Sequence, residues 1–259
     1  MKTVATDAGQ LHVELSGPQE GRTLFFANSL GTDLRVWDKL ISHLPDTFRI
    51  VRYDKRGHGL SDCPPAPYTM EELVDDAETI CDALDLSDIT FVGLSIGGMI
   101  GQGLAARRPD LVRALVLMDT AAKIGTPEFW QERIDIIRQG GIAAASAPIL
   151  ERWFTAPFRA GDEISPWRNM LNRTPIEGYI GCCQAIAGAD LTDSAKALGI
   201  PVMALAGAED GSTPPDLVKE TAALCGGAFH VIEGAGHLPC VERPAVTAAL
   251  LSRFLSETE

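Results

Sequence analysis

Seven apolar runs rich in β-branched and aromatic residues recur along the chain, and their spacing limits the fold more than any other feature. They are LHVELS (11–16), TLFFANS (23–29), RIVRYD (49–54), ITFVGLS (89–95), ALVLMDT (114–120), PVMALAGAED (201–210) and AFHVIEGAGH (228–237). From residue 49 onward the runs are continuous rather than alternating, as in strands of a parallel sheet covered on both faces. Segments of helical period lie between them. TMEELVDDAETICDALDL (69–86) places Thr69 ahead of an acidic first turn, as an N-cap should. IGGMIGQGLAARRPD (96–110) ends in two arginines and a proline, a stop signal, and ERPAVTAALLSRFLSE (242–257) carries Pro244 near its start. Alternating strands and helices imply an α/β, doubly wound architecture.

The alternation stops between about Ala121 and Asp190. This stretch offers helical pieces separated by Gly–Gly, Ala–Pro, Ser–Pro and Thr–Pro breaks, and no convincing strand. It holds three of the four tryptophans, Trp130, Trp153 and Trp167. It carries seven Lys/Arg against eight Asp/Glu, so nearly all of the net charge of -13 lies elsewhere. An aromatic-rich, less acidic helical insertion reads as a cap over a pocket. Residues 1–120 and 191–259 would then be the core and 121–190 the cap. The same tryptophans would also serve to pack the cap's own small core.

The acidic balance argues against a general nucleic-acid or anionic-membrane binder, which needs a basic face. The first residues, MKTVATDAGQLHVEL, contain no apolar signal-peptide region, and a soluble, cytoplasmic protein is expected. Ile89 to Ala106 is long and apolar, but Ser95, Gln102 and its β-favouring start make it a strand followed by a helix. No Cys-x-x-Cys pair occurs among the six cysteines, which read as free buried thiols. The Gly101–Ala106 segment matches a permissive dinucleotide pattern but falls inside a helix, and no metal-ligand spacing appears. No metal or nucleotide cofactor is expected.

Chemistry gathers at three loops. Gly93-Leu94-Ser95-Ile96-Gly97 fits the G-x-S-x-G nucleophile-elbow pattern, in which a strand-to-helix turn presents the serine. A nucleophilic serine needs a base, and the base an orienting acid. Of the five histidines, His237 follows the last apolar run on a glycine-rich loop, at the sheet edge that Ser95 occupies. His12, His43 and His230 sit in predicted strand or helix, and His58 in the tight turn Arg56–Gly59. Asp210 ends the preceding strand, 27 residues before His237, and is the preferred acid, with Glu209 and Asp119 as competitors. An oxyanion hole needs two backbone N–H donors. Ile96 supplies one at the helix start, and Leu30, or its neighbour Ser29, the other from the loop Asn28–Gly31.

With those loops in place the whole chain resembles the α/β-hydrolase superfamily. Within it, NSLGTDLRVWDKL (28–40), RIVRYDKRGHGLSD (49–62), FVGLSIGGMIGQGLAARRPD (91–110) and GAGHLPCVERP (234–244) are similar to the 3-oxoadipate enol-lactonases. Asn28-Ser29 is the more specific piece, because most relatives carry His-Gly there. The resemblance implies a mostly parallel central sheet flanked by helices, with a helical cap inserted after the sixth strand. It also implies a cofactor-free hydrolase with Ser95, Asp210 and His237 as triad, acting on a small anionic lactone. Trp130 and Arg133, one helical turn apart, and Trp153 are the candidate substrate contacts, Arg133 for a carboxylate. An exposed Arg133 paired with an acid is the competing reading. Other serine esterases, a perhydrolase or a carbon–carbon hydrolase on the same scaffold, and a non-catalytic small-molecule receptor, remain alternatives. The sequence does not set an oligomeric state.

Overall fold

All seven apolar runs form strands, and an eighth precedes them. In the computed structural model, which describes residues 1–258, the strands are β1 (Lys2–Thr6), β2 (Gly9–Ser16), β3 (Thr23–Ala27), β4 (Arg49–Tyr53), β5 (Ile89–Leu94), β6 (Val112–Met118), β7 (Val202–Gly207) and β8 (Ala228–Ile232). They make one sheet in the order β1-β2-β4-β3-β5-β6-β7-β8. β2 pairs antiparallel with both β1 and β4, and every other pairing is parallel. β1 escaped notice because it is an edge strand with one fully buried residue, Val4, and so has no apolar run to show.

Every residue of β3, β5 and β7 is buried, which is why they read as unbroken apolar runs. β8 departs from that expectation. It is the opposite edge strand, only Ile232 is fully buried, and Val231 is exposed.

Helices cover both faces. They are α1 (Asp38–Ile41), α2 (Met70–Ala83), α3 (Ile96–Arg107), α4 (Pro127–Trp153), α5 (Ala156–Ala160), α6 (Ile164–Asn172), α7 (Ile176–Gly188), α8 (Thr192–Lys196), α9 (Pro215–Leu224), α10 (Pro239–Glu242) and α11 (Pro244–Glu257). Thr69 caps α2 in a reciprocal box with Glu72, each side chain taking the other's backbone N–H. α4 to α8 all lie between β6 and β7, where no strand occurs among the described residues. Gly141, at φ 69°, kinks α4 at the Gly–Gly pair. The Ala147–Pro148 pair does not end the helix, because buried Ile149 and Leu150 hold the following turn to the core. No described helix is long and apolar enough to cross a membrane, and residues 89–106 divide into β5 and α3. The cysteines are unpaired, five buried and Cys63 exposed.

α3 starts hard against the sheet. A Cβ on Gly97 would lie 2.0 Å from the Ala27 carbonyl oxygen, and one on Gly93 would lie 2.3 Å from that of Gly97. Neither glycine needs an unusual φ; what they supply is room for the helix start to touch β3 and β5. Gly97→Ala is expected to destabilise the fold by about 1–3 kcal/mol or to prevent folding, because backbone must shift to admit the methyl. Urea unfolding of the two proteins measures it.

Candidate active site

The carboxyl ends of β5, β6, β7 and β8 bring Ser95, Asp119, Asp210 and His237 to one edge of the sheet. Ser95 alone joins β5 to α3, at φ 57° and ψ -121°, a conformation that costs a non-glycine residue energy. The turn is held from several sides. Ser95 N–H donates to the Met118 carbonyl at 2.9 Å, and its own carbonyl accepts from Thr120 Oγ1 at 2.6 Å and Gly98 N at 2.8 Å. The side chain makes no capping bond to α3, so the hydroxyl has no structural duty there.

His237 sits on the loop after β8 and is 2% exposed. Its Nδ1 donates to Asp210 Oδ2 at 2.8 Å, which leaves Nε2 for other work. Asp210 lies three residues past the end of β7, not within the strand as its run suggested. Its carboxylate also accepts from Ser212 N and from Thr213 Oγ1, both at 2.7 Å. Burial pushes this carboxyl up, but the His237 charge and these three donors outweigh it and hold Asp210 below the usual carboxylate range. Asp210 is therefore an anion that fixes the imidazole with a proton on Nδ1.

Asp119, the competing acid, follows β6 and is fully buried. Its Oδ1 accepts from Gly207 N at 2.8 Å, and its Oδ2 has no partner among the described residues. Burial, and then the Asp210 charge, push its carboxyl far up, the opposite direction from Asp210. Ligand atoms of Asp119, Asp210 and His237 lie within 4.8 Å of one another, a spacing that can hold a metal. Hydrogen bonds already occupy much of this set, since Asp210 accepts from Ser212 N, Thr213 Oγ1 and His237 Nδ1. Glu209 is exposed and points to none of this.

The loop after β3 brings Leu30 beside Ser95. Neither Leu30 N–H nor Ile96 N–H is hydrogen-bonded among the described residues. His58, which looked like an ordinary turn residue, holds this loop: its Nε2 accepts from Gly31 N at 3.0 Å while Nδ1 donates to the Arg56 carbonyl at 3.1 Å. Burial pushes the His58 imidazole far down, so it stays neutral and keeps that tautomer.

Ser29, Leu30, Ser95 and His237 from the core, and Trp130, Arg133, Arg152, Trp153 and Tyr179 from α4 and α7, line one cavity of about 250 Å³. Trp130, Arg133 and Trp153, the three α4 residues singled out in the sequence, thus all line it. Arg133 stacks over Phe129 at 4.9 Å and Trp130 at 5.1 Å, and Arg152 over Phe129 at 5.2 Å. Trp130 Nε1 donates to the Ile124 carbonyl at 2.7 Å, which locks the indole. Arg133 is thus not the exposed, acid-paired residue of the competing reading, and neither arginine makes an ion pair among the described residues. Burial, and then the Arg133 charge, lower the Arg152 pKa, and Tyr179 and Glu151 offset this only in part. Sequence reasoning missed Arg152 because the kink at Gly141 breaks the helical register that links it to Arg133. Glu242 was missed as well: it accepts from Thr155 N and Oγ1 in the insertion and from Gly236 N beside His237, tying the two together. A larger groove of about 840 Å³ lies against α6. It holds the His12–Asp54 pair and surface ion pairs, and neither Ser95 nor His237 reaches it.

The sequence model of the alpha/beta hydrolase fold family matches residues 22–244. The chain is 34% identical to 3-oxoadipate enol-lactonase 2 of Acinetobacter baylyi, over 92% of this chain and 91% of that protein. The crystal structure of the enol-lactonase from Burkholderia xenovorans superposes with a TM-score of 0.94 at 34% identity, covering 98% of this chain and all of that one. The malate-bound thermophilic esterase of Thermogutta terrifontis gives a TM-score of 0.92 at 29% identity, covering 99% and 98%.

Proposed function

The chain belongs to the alpha/beta hydrolase fold family, and on that premise we propose that it is a serine hydrolase that opens the ring of 3-oxoadipate enol-lactone to give 3-oxoadipate. The observation that carries this reading is the pair of guanidinium groups, Arg133 and Arg152, without ion pairs in the cavity that Ser95 and His237 share. Such a pair suits an ester that bears a separate carboxylate. The malate found on the Thermogutta terrifontis esterase, itself a dicarboxylate, supports the same view.

In this reading Ser95 attacks the lactone carbonyl while His237 Nε2 takes its proton, and Asp210 stabilises the imidazolium. The tetrahedral oxyanion rests on the Leu30 and Ile96 N–H groups, which nothing else engages. Collapse expels the ring oxygen as an enolate, which takes up a proton and tautomerises to the ketone, so reclosure is disfavoured. A water deprotonated by His237 then attacks the acyl-enzyme and releases the second carboxylate. The helices of residues 121–190 serve as the cap, with Trp130 and Trp153 as apolar walls and the two arginines holding the carboxylate.

Turnover of the enol-lactone and of the neutral ester 4-nitrophenyl acetate, by wild type and by Arg133→Ala and Arg152→Ala, tests the reading. A hydrogen bond to a charged group contributes about 1.5–3 kcal/mol, so each variant is expected to raise KM for the lactone about 10- to 100-fold. The neutral ester is expected to be indifferent to both changes. Activity on the neutral ester with none on the lactone would overturn the substrate and spare the hydrolase.

A further inference from the structure

A lysine ammonium lies buried under the loop that carries Leu30. Lys55, in the turn after β4, is 1% exposed and makes no ion pair among the described residues. Its Nζ donates to the Ser29 carbonyl at 2.6 Å and reaches the Asn28 carbonyl at 3.5 Å. The Ser29 carbonyl is thus crowded with donors, because Thr32 Oγ1 at 3.0 Å and Thr32 N at 3.3 Å reach it as well. That carbonyl belongs to the peptide whose N–H is Leu30's. A cation on the oxygen of a peptide draws electron density from its nitrogen and makes the N–H a stronger donor.

We propose that Lys55 is a positioning residue for the oxyanion hole, orienting and polarising the Ser29–Leu30 peptide so that Leu30 N–H meets the developing charge on a substrate bound to Ser95. The proposal rests on the serine-hydrolase reading above, and it explains why the fold keeps a cation where burial disfavours one. Burial lowers the Lys55 pKa to about 8, offset in part by Asp54 beside it and by Asp33 in the loop after β3. The neighbouring His58 is neutral, and burial pushes the Cys182 thiol up to about 12, so neither competes for the charge near neutral pH.

A purely structural lysine and a polarising one part company in Lys55→Met. That variant removes a buried charge, so its Tm is expected to stay level or rise, while kcat on 4-nitrophenyl acetate falls about 10- to 100-fold with KM within about twofold. A folded variant with unchanged kcat, or one that loses only KM, overturns the proposal. A second measurement does not depend on turnover. In wild-type protein the Leu30 amide resonance is expected to titrate with the Lys55 Nζ resonance, near pH 8, and to lose that step in Lys55→Met. A Leu30 amide indifferent to the Lys55 charge overturns the proposal too. Failure of the hydrolase reading is read separately, as activity that survives Ser95→Ala.

Discussion

Ser95→Ala is expected to lower kcat on both the enol-lactone and 4-nitrophenyl acetate by about 10⁴-fold or more, in line with removal of a serine nucleophile elsewhere. The residue that remains keeps the Leu30 and Ile96 N–H groups and the cavity, so lactone should still bind with little change in affinity. Stability should hardly move. The Ser95 hydroxyl makes no capping bond, and alanine tolerates φ 57° no worse than serine does. Single-turnover kinetics, lactone binding by calorimetry and thermal melts read these three outcomes. A variant that retains activity would take the nucleophile away from Ser95 and with it the whole mechanism.

Asp210→Asn is expected to cost about 10³- to 10⁴-fold in kcat, because an amide cannot both fix the Nδ1–H tautomer and stabilise the imidazolium. Its neighbour makes this variant unusual. Burial first and then the Asp210 charge push the Asp119 carboxyl up; with that charge gone, Asp119 ionises more readily. Residual activity that rises with pH and disappears in the double variant with Asp119→Asn would show Asp119 taking over part of the role. Equal activity in single and double variants would leave it none. Stability responds to pH with a definite sign. The folded Asp210 pKa lies below its ordinary value of 3.8, so the carboxylate stabilises the native state above that value and loses this contribution as pH falls through the folded value. The gap in stability between wild type and Asp210→Asn should therefore shift toward the variant below about pH 4, as acid unfolding can record.

The parts of the fold that could be read from the chain are those whose environment is uniform. β3, β5 and β7 are buried on both faces and therefore spell out as apolar runs. β1 and β8 are edges, half in water, and one was missed while the other was taken for an interior strand. Thr69 and Pro244 mark helix starts because caps and first-turn prolines act locally. The kink at Gly141 was visible as a Gly–Gly pair, but its effect on which α4 side chains share a face was not.

The site divides along the same line. Ser95, Asp210 and His237 could be picked out from local patterns at strand ends together with their order in the chain. The preference for Asp210 over Asp119 rested there on strand order and loop position alone, since each stands just past a strand of the same sheet. Hydrogen bonding separates the two: three donors reach Asp210, and one reaches the fully buried Asp119. Arg133 was accessible through its one-turn spacing from Trp130, whereas Arg152 meets it only across the kinked helix. His58 looked like a member of a tight turn, and only the packing of that turn beneath the loop after β3 gives it and Lys55 their partners. Sequence alone determined the layering of strands and helices and the strand-end loops that carry Ser95, Asp210 and His237, because periodicity and turn chemistry are properties of neighbours along the chain. Tertiary structure decided which acid gathers hydrogen-bond donors, and which cations and amides go without an ion pair or a hydrogen bond among the described residues. Those depend on burial and on partners distant in sequence, which no local pattern records.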